Sequence, residues 1–261
     1  MKRYKGFYFF LIIILQFMFS CSDNNEDALK CKLTSCEVSA LFYPEINQPI
    51  SYNPNFSNKI YFEYNNQDQI IKVLGGLVRI SDGANFYNYA FVNNVEATVS
   101  YVNNTITNGN STYLILENGK LISRKTINPM YGIEVEYNYE YHENKILELS
   151  DNRLIRTFYL INDNLTRIEE IFHNNNGEVI VGKRDIIFSN YDTSKNLLKG
   201  LFFIHGAFYK AFSNNNYKTV ELNSYDYENN NYILRETNYS LNFNFDVNSE
   251  GIPDLFEQDC N

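Results

Sequence analysis

The sequence contains no tryptophan and only three histidines in 261 residues. His142, His173 and His205 stand far apart, none beside a ligand-spaced partner, so they read as surface or turn residues rather than catalytic bases. The lack of Trp removes the side chain with the largest π-face for stacking on a sugar. There is no G-x-S-x-G, H-E-x-x-H, G-x-G-x-x-G or P-loop, so none of those nucleophilic, zinc or nucleotide chemistries is encoded locally. Positive charge is scarce: 22 Lys+Arg face 31 Asp+Glu, a net charge of −9. Such a field repels phosphate backbones and anionic membrane surfaces, which argues against nucleic acid as a partner. Apolar runs are short. The longest, Phe7 to Phe19, spans 13 residues and is broken by Gln16. A membrane-spanning helix needs about 20.

That run has a specific setting. Lys2, Arg3 and Lys5 precede it, and Ser20 and Cys21 follow it. A basic start, a short apolar stretch and a small residue before the cut form the secretory signal pattern. Residues 1–20 are therefore expected to be an export signal. Cys21 is expected to carry lipid, since the thiolate is the natural acceptor for a diacylglyceryl group. Ser20-Cys21 resembles a lipobox, with Met18 and Phe19 bulkier than usual. Ser22 followed by the acidic Asp23, Glu26 and Asp27 resembles the surface-export tag of Bacteroidetes lipoproteins. The resemblance implies an outer-membrane lipoprotein exposed at the cell surface, with palmitate-type acyl chains holding it. Two or more chains make such an anchor stable. Without residues 1–20 the net charge is −12.

The expected domain plan is simple: signal at 1–20, lipidated Cys21 and polar tether over 21–40, and a single antiparallel β domain over 41–261. With Cys21 lipidated, Cys31, Cys36 and Cys260 remain, an odd number for an oxidising compartment. Cys31–Cys36 would close a local loop. Cys31 or Cys36 with Cys260 would close a long one, which is favoured on chain entropy.

From Leu41 onward the chain reads as strands and turns. Val135, Tyr137, Tyr139 and Tyr141 alternate with Glu134, Glu136, Asn138 and Glu140. Tyr239, Leu241, Phe243, Phe245 and Val247 alternate in the same way with polar residues. A period of two predicts half-buried strands. Asn65–Asp68, Asn103-Asn104, Asn118-Gly119, Asn162–Asn164, Asn174–Gly177 and Asn229–Asn231 punctuate the runs. Asn and Gly tolerate the positive φ of tight hairpins. Leu197 to Phe212 is apolar without this alternation and predicts a short helix or an apolar loop laid on the sheet. It is the natural cover for the aromatic face formed by Tyr137, Tyr139, Tyr141, Tyr239, Phe243 and Phe245. The fold class is thus all-β, a curled antiparallel hairpin meander with one short helical or loop insertion.

The hairpins resemble YD or RHS-type repeats, in Tyr61–Ile70 and Phe243–Pro253. Tyr191-Asp192 through Asn196-Leu197 to Leu201, with Ser213-Asn214-Asn215, is similar to a stretch of small Bacteroidetes lipoproteins carrying YD-like hairpins; Leu197 stands where those have Pro. The resemblance covers about residues 56–256. It implies a curled antiparallel sheet and supplies no catalytic residues.

Two chemical readings remain. Asp246-x-Asn248-x-Glu250-Gly251 with Glu257 approximates a calcium loop, in which oxygen ligands alternate and a glycine makes the turn. The same residues also suit a plain hairpin turn. Adjacent carboxylates such as Glu169-Glu170 would be the starting point for a glycoside-active enzyme. The leading expectation is a non-catalytic, lipid-anchored surface protein that binds a glycan, a protein or another envelope component. The alternatives are that glycoside-active enzyme and a calcium-stabilised structural module.

Overall fold

A computed structural model describes residues 31–42, 59–81, 87–109, 111–115, 118–127, 132–174, 177 and 179–260. Lys32–Asp259 forms one compact unit, and the core described here belongs to it. Cys31 and Cys260, in the smaller unit, are joined by a disulfide, and Cys36 is a buried free thiol. Cys21 lies outside the described residues.

Among the described residues fifteen strands make one sheet. They begin with β1 (Cys31–Glu37), β2 (Lys59–Tyr64), β3 (Ile70–Ser81), β4 (Tyr87–Val102) and β5 (Thr105–Asn108). Then come β6 (Ser111–Ile115), β7 (Leu121–Ile127), β8 (Glu134–Tyr141), β9 (Lys145–Ser150) and β10 (Arg153–Ile161). The last are β11 (Asn164–His173), β12 (Ile180–Ser189), β13 (Thr219–Glu228), β14 (Asn231–Asn242) and β15 (Phe256–Cys260). From β1 to β14 each strand lies beside the next in sequence, and β15 lies on the far side of β1. The chain is an antiparallel meander, as the alternation predicts.

The asparagine turns make it one. Asn162 (φ 51°) with Asp163 (57°), and Asn229 (50°) with Asn230 (62°), place two left-handed residues in a row. That is the geometry whose twist matches a two-residue hairpin. Asp151 (51°) and Asn152 (60°) do the same between β9 and β10. Gly119 (77°) turns β6 into β7 at the expected Asn118-Gly119.

The sheet hides one face behind residues 196–217. This segment is turn-rich, with one 3-10 turn at Lys210–Phe212, so the loop alternative holds rather than a longer helix. Phe202, Phe203, Ile204, Ala207, Tyr209, Ala211 and Phe212 are buried in it. Its rings meet those of the sheet: Phe212 lies 4.8 Å from Phe158 of β10, and Phe208 lies 6.4 Å from Tyr139 of β8. Tyr217 lies 4.7 Å from Phe188 of β12, and Phe203 lies 6.3 Å from Tyr101 of β4. The expected aromatic face is therefore core. Tyr139 and Phe245 are buried, while Tyr137, Tyr141 and Phe243 pack partly buried against the same cluster. The Tyr239 side chain lies outside the described residues.

Two boundaries differ from the sequence reading. The tether was expected to run to residue 40. Instead β1 begins at Cys31, and Cys36, Val38 and Ala40 are buried, because β1 pairs with β2 and this short stretch adds to the core. The run from Tyr239 to Val247 was expected to be one strand. Here β14 stops at Asn242, and Phe243 and Phe245 reach the core from extended chain beyond it. Alternation persists past a strand's end when the chain keeps crossing the same apolar surface.

Two outcomes follow from this packing. Phe158 is fully buried among Tyr139, Tyr209 and Phe212. Phe158→Ala is expected to lower stability by about 3–5 kcal/mol in chemical denaturation, while the exposed Tyr232→Ala changes it by under about 1 kcal/mol. Equal effects would contradict the core assignment. The second outcome concerns Lys210, which is 1% exposed, with a Nζ that has no hydrogen-bond partner among the described residues. It lies over the Tyr217 ring at 4.4 Å. Burial pulls its ammonium down to about 8, against weaker support from Cys36 and Asp192. The folded value lies below the unfolded one, so protonation favours unfolding. The cost is complete below about pH 8 and fades as pH rises toward the ordinary 10.5. Lys210→Met is therefore expected to stabilise the protein at pH 7 by roughly 1–3 kcal/mol, with the gain shrinking by pH 9.5. A gain independent of pH would show that Lys210 is not the titrating group.

Candidate binding cleft

The covering segment is irregular yet buried, so its backbone needs partners. Asparagines supply them. Asn196 donates from Nδ2 to the carbonyls of Lys210 (2.7 Å) and Ser213 (2.9 Å), and its Oδ1 accepts from Leu198 N. Asn216 donates to Ser194 Oγ and to the Lys195 carbonyl. Asn215 N donates to Asn164 Oδ1 at 2.8 Å, and Leu165 N donates to Ser213 Oγ at 3.0 Å. Asp192 Oδ1 accepts from the Ser194 amide, and Tyr191 Oη donates to the Leu165 carbonyl. The stretch from Tyr191 to Asn216 singled out in the sequence thus clamps the segment onto β11.

On the inner face a charged ladder runs across successive strands. Tyr139 stands opposite Glu148, Glu148 opposite Arg156, Arg156 opposite Glu170, and Glu170 opposite Arg184. Tyr139 Oη donates to Glu148 Oε2 at 2.7 Å. Arg156 donates to Glu148 Oε1 at 2.5 Å and, through Nε and Nη2, to Glu170 Oε1 at 3.0 and 2.7 Å. Arg184 holds Glu170 Oε2 from Nε at 2.9 Å. Burial opposes the Glu170 charge, but Arg156 and Arg184 outweigh it and hold its carboxyl below the usual range. On the opposite face Arg167 and Lys183 each bind Glu169 and Asp185, at 2.8 to 3.3 Å.

One guanidinium at the end of the inner ladder is held differently. Arg124 of β7 lies between two rings, 4.7 Å from Tyr137 and 4.6 Å from Phe208. Its nearest carboxylate is Glu148 at 3.9 Å, and its Nε has no hydrogen-bond partner among the described residues. Arg124 lines a cleft of about 460 Å³ between β2–β7 and the turn 202–208. Ile60, Val73, Ala97, Phe203 and Ile204 make its walls apolar. Gly75, at φ 95°, sits where β3 slips register against β4. A Cβ there would meet Lys59 O and Phe91 Cζ at 3.0 Å, so this wall has room only for bare backbone. None of the described residues lining the cleft is Asp or Glu. A second cleft, of about 570 Å³, includes Lys120, Tyr141, Glu143 and Asp163.

The residues singled out for chemistry end up elsewhere. Glu169 and Glu170 point to opposite faces of β11 and are each tied to two cations, so they form no carboxylate pair around a substrate. The proposed calcium ligands are not gathered. Asn248 Oδ1 accepts from the amides of Glu250 and Ile252 in a turn, and the Asp246 amide donates to Asp254. Glu257 turns away to Ser35 Oγ at 2.6 Å and to Lys59. Among the described residues no group of three or more His, Cys, Asp or Glu is placed to hold a metal. The stretch turns between Val247 and Pro253, which form a bridge. Arg124 and its cleft were missed, because the contact with Phe208 joins residues far apart in sequence. The nearest local signal is Arg124 itself, in the half-buried strand Leu121–Ile127.

Arg156 links both buried carboxylates. Arg156→Met is expected to cost about 3–5 kcal/mol at pH 7, because Glu148 and Glu170 lose a shared partner. The Glu170 contribution is present above its unfolded value and is lost as pH falls through its lowered folded value. The gap between wild type and Arg156→Met should therefore narrow near pH 4 in denaturant titrations. A gap that is constant with pH would contradict this.

No family model matches the chain. No curated protein matches it. Among solved structures it is similar to a porin-like protein from Bacteroides vulgatus ATCC 8482, with 13% identity over 79% of this chain and 92% of that one and a TM-score of 0.46. It is also similar to a porin-like protein from Bacteroides uniformis ATCC 8492, with 11% identity over 75% and 80% and a TM-score of 0.36. At such scores the likeness bears on neither the activity nor the partners of this chain.

Proposed function

We propose that the chain is an exported, lipid-anchored envelope protein whose β domain is a non-catalytic binding module, with the Arg124 cleft as its binding site. One observation carries the binding role. A cleft with apolar walls holds a guanidinium fixed by two aromatic rings, with its Nε unpartnered among the described residues and no carboxylate closer than Glu148 at 3.9 Å. Apolar walls with a few placed polar groups are the usual make-up of a small-molecule site. The clusters of charge elsewhere are internally paired, as structural networks are.

The export reading rests on Lys2 to Cys21 and is supported by the Cys31–Cys260 disulfide, a bond that persists in oxidising compartments. Anchoring is favoured over spanning by the outer face of β11 and β12. Arg167 and Glu169, the more exposed members of that network, would there meet hydrocarbon, at about 2–4 kcal/mol for the cation at the midplane. The acyl chains on Cys21 and surface exposure belong to this proposal.

Cys21→Ala is expected to abolish incorporation of labelled palmitate and to move the protein out of the membrane fraction. Labelled palmitate on the variant would sink the anchor assignment.

A further inference from the structure

We propose that the cleft takes a monoanionic amphiphile, an organic carboxylate with an apolar tail. The inference rests on the cleft being the binding site and adds the chemistry of its ligand.

Arginine presents five N–H donors in a planar fork and does not lose its charge. Among the described residues the contacts of Arg124 are the two rings and Glu148 at 3.9 Å. Glu148 is already engaged: one oxygen takes Arg156 and the other takes Tyr139. Along the inner ladder Arg156 and Arg184 are bound by Glu148 and Glu170, and beyond Arg184 the register continues through Ser224 to Glu236. Of the three guanidiniums only Arg124 has no carboxylate within hydrogen-bond distance among the described residues, and it is the one that lines the cleft. Arg124 is partly buried, with its Nε shut off from water and unpartnered among the described residues, so its other N–H groups are the ones a ligand in the cleft can reach.

The surroundings define what that something is. The chain has 31 Asp+Glu, yet none of the described residues lining this cleft is acidic. The lining amides and hydroxyls are largely committed: Asn108 Nδ2 donates to Phe203 O at 2.6 Å, and Ser111 Oγ donates to Thr126 Oγ1 at 3.1 Å. Tyr113 and His205 also line the cleft, and the charge that recognition draws on is that of Arg124, set among apolar walls. One guanidinium at the cleft matches one negative charge. A planar guanidinium pairs with a carboxylate through two parallel hydrogen bonds. Ile60, Val73, Phe203 and Ile204 offer a tail the contacts that a sugar hydroxyl would not use.

The full chain in lipid nanodiscs is titrated calorimetrically with octanoate and with 1-octanol. Octanoate is expected to bind at least ten-fold more tightly than octanol. Arg124→Gln should erase that preference by weakening octanoate alone. Arg124→Lys keeps the charge but not the fork, and is expected to keep part of the preference; it carries the test if Arg124→Gln does not fold. Ala97→Leu narrows the cleft and should weaken both ligands equally. Equal binding of octanoate and octanol, both weakened by Ala97→Leu, would overturn the anionic ligand and leave the cleft as the site. Octanoate binding unchanged by Ala97→Leu and by the Arg124 variants would remove the cleft itself. No octanoate binding to the folded wild-type chain would overturn the proposal outright.

Discussion

Irregular backbone buried in a core must find a partner for each N–H and C=O. Here that requirement falls on residues 196–217, and asparagine side chains meet it. An asparagine offers donors and an acceptor on one short stem, so it can mimic a piece of strand for a chain that has none. Asn196 serves Lys210, Ser213 and Leu198 together. Everything else in the β domain leans on this. A sheet one layer thick with an apolar face does not stand alone in water. Tyr139, Phe158 and Phe188 are covered because the segment is held in place across β8, β10 and β12.

The cover also shapes the cleft. Against β8–β12 it presents Tyr209, Phe212 and Tyr217, which reach the sheet ring to ring. Against β2–β7 it presents the turn 202–208, and there it leaves open space beside Gly75 and Gly76. The site is thus a by-product of closing a long sheet with a short plug. Since Tyr139, Phe158 and Phe245 are used up in the core, a ligand does not meet an aromatic platform on this face. It meets what the plug leaves bare.

Much of the fold was legible because its signals are local. Glu134 to Tyr141 alternates with period two, and the strand follows it residue by residue. Asn162-Asp163 and Asn229-Asn230 marked hairpins by their tolerance of positive φ. The segment Leu197 to Phe212 stood out because it is apolar without alternation. The misreadings had a common cause. Residues 31–37 carry too few apolar side chains to announce a strand, and it is pairing with β2 on one side, Cys36 with Ile60 and Ser35 with Tyr61, and with β15 on the other that makes them one. The ladder was hidden for a related reason. Arg156 faces Glu148 across the Asp151-Asn152 turn and Glu170 across the Asn162-Asp163 turn, so its charges meet only once both turns and their bulges are fixed. Arg124 needed a further step, the docking of Phe208 onto β7, which no short window of sequence contains.

The two charge networks show why parity matters in such a sheet. Glu169 and Glu170 are neighbours in sequence, yet successive side chains on a strand face opposite ways, so each belongs to a different network. On the outer face Arg167 and Lys183 balance Glu169 and Asp185, and Lys183 also lies 4.8 Å from the Tyr225 ring. Lys183 and Asp185 are buried there, and the pairing is neutral. On the inner face Arg156 and Arg184 are bound by Glu148 and Glu170, while Arg124 stays 3.9 Å from Glu148. Its place at the rim of an apolar cleft, between two rings that fix its orientation without consuming its donors, gives that separation a use. Its field reaches a space where an anion can enter, in a chain whose net charge is negative.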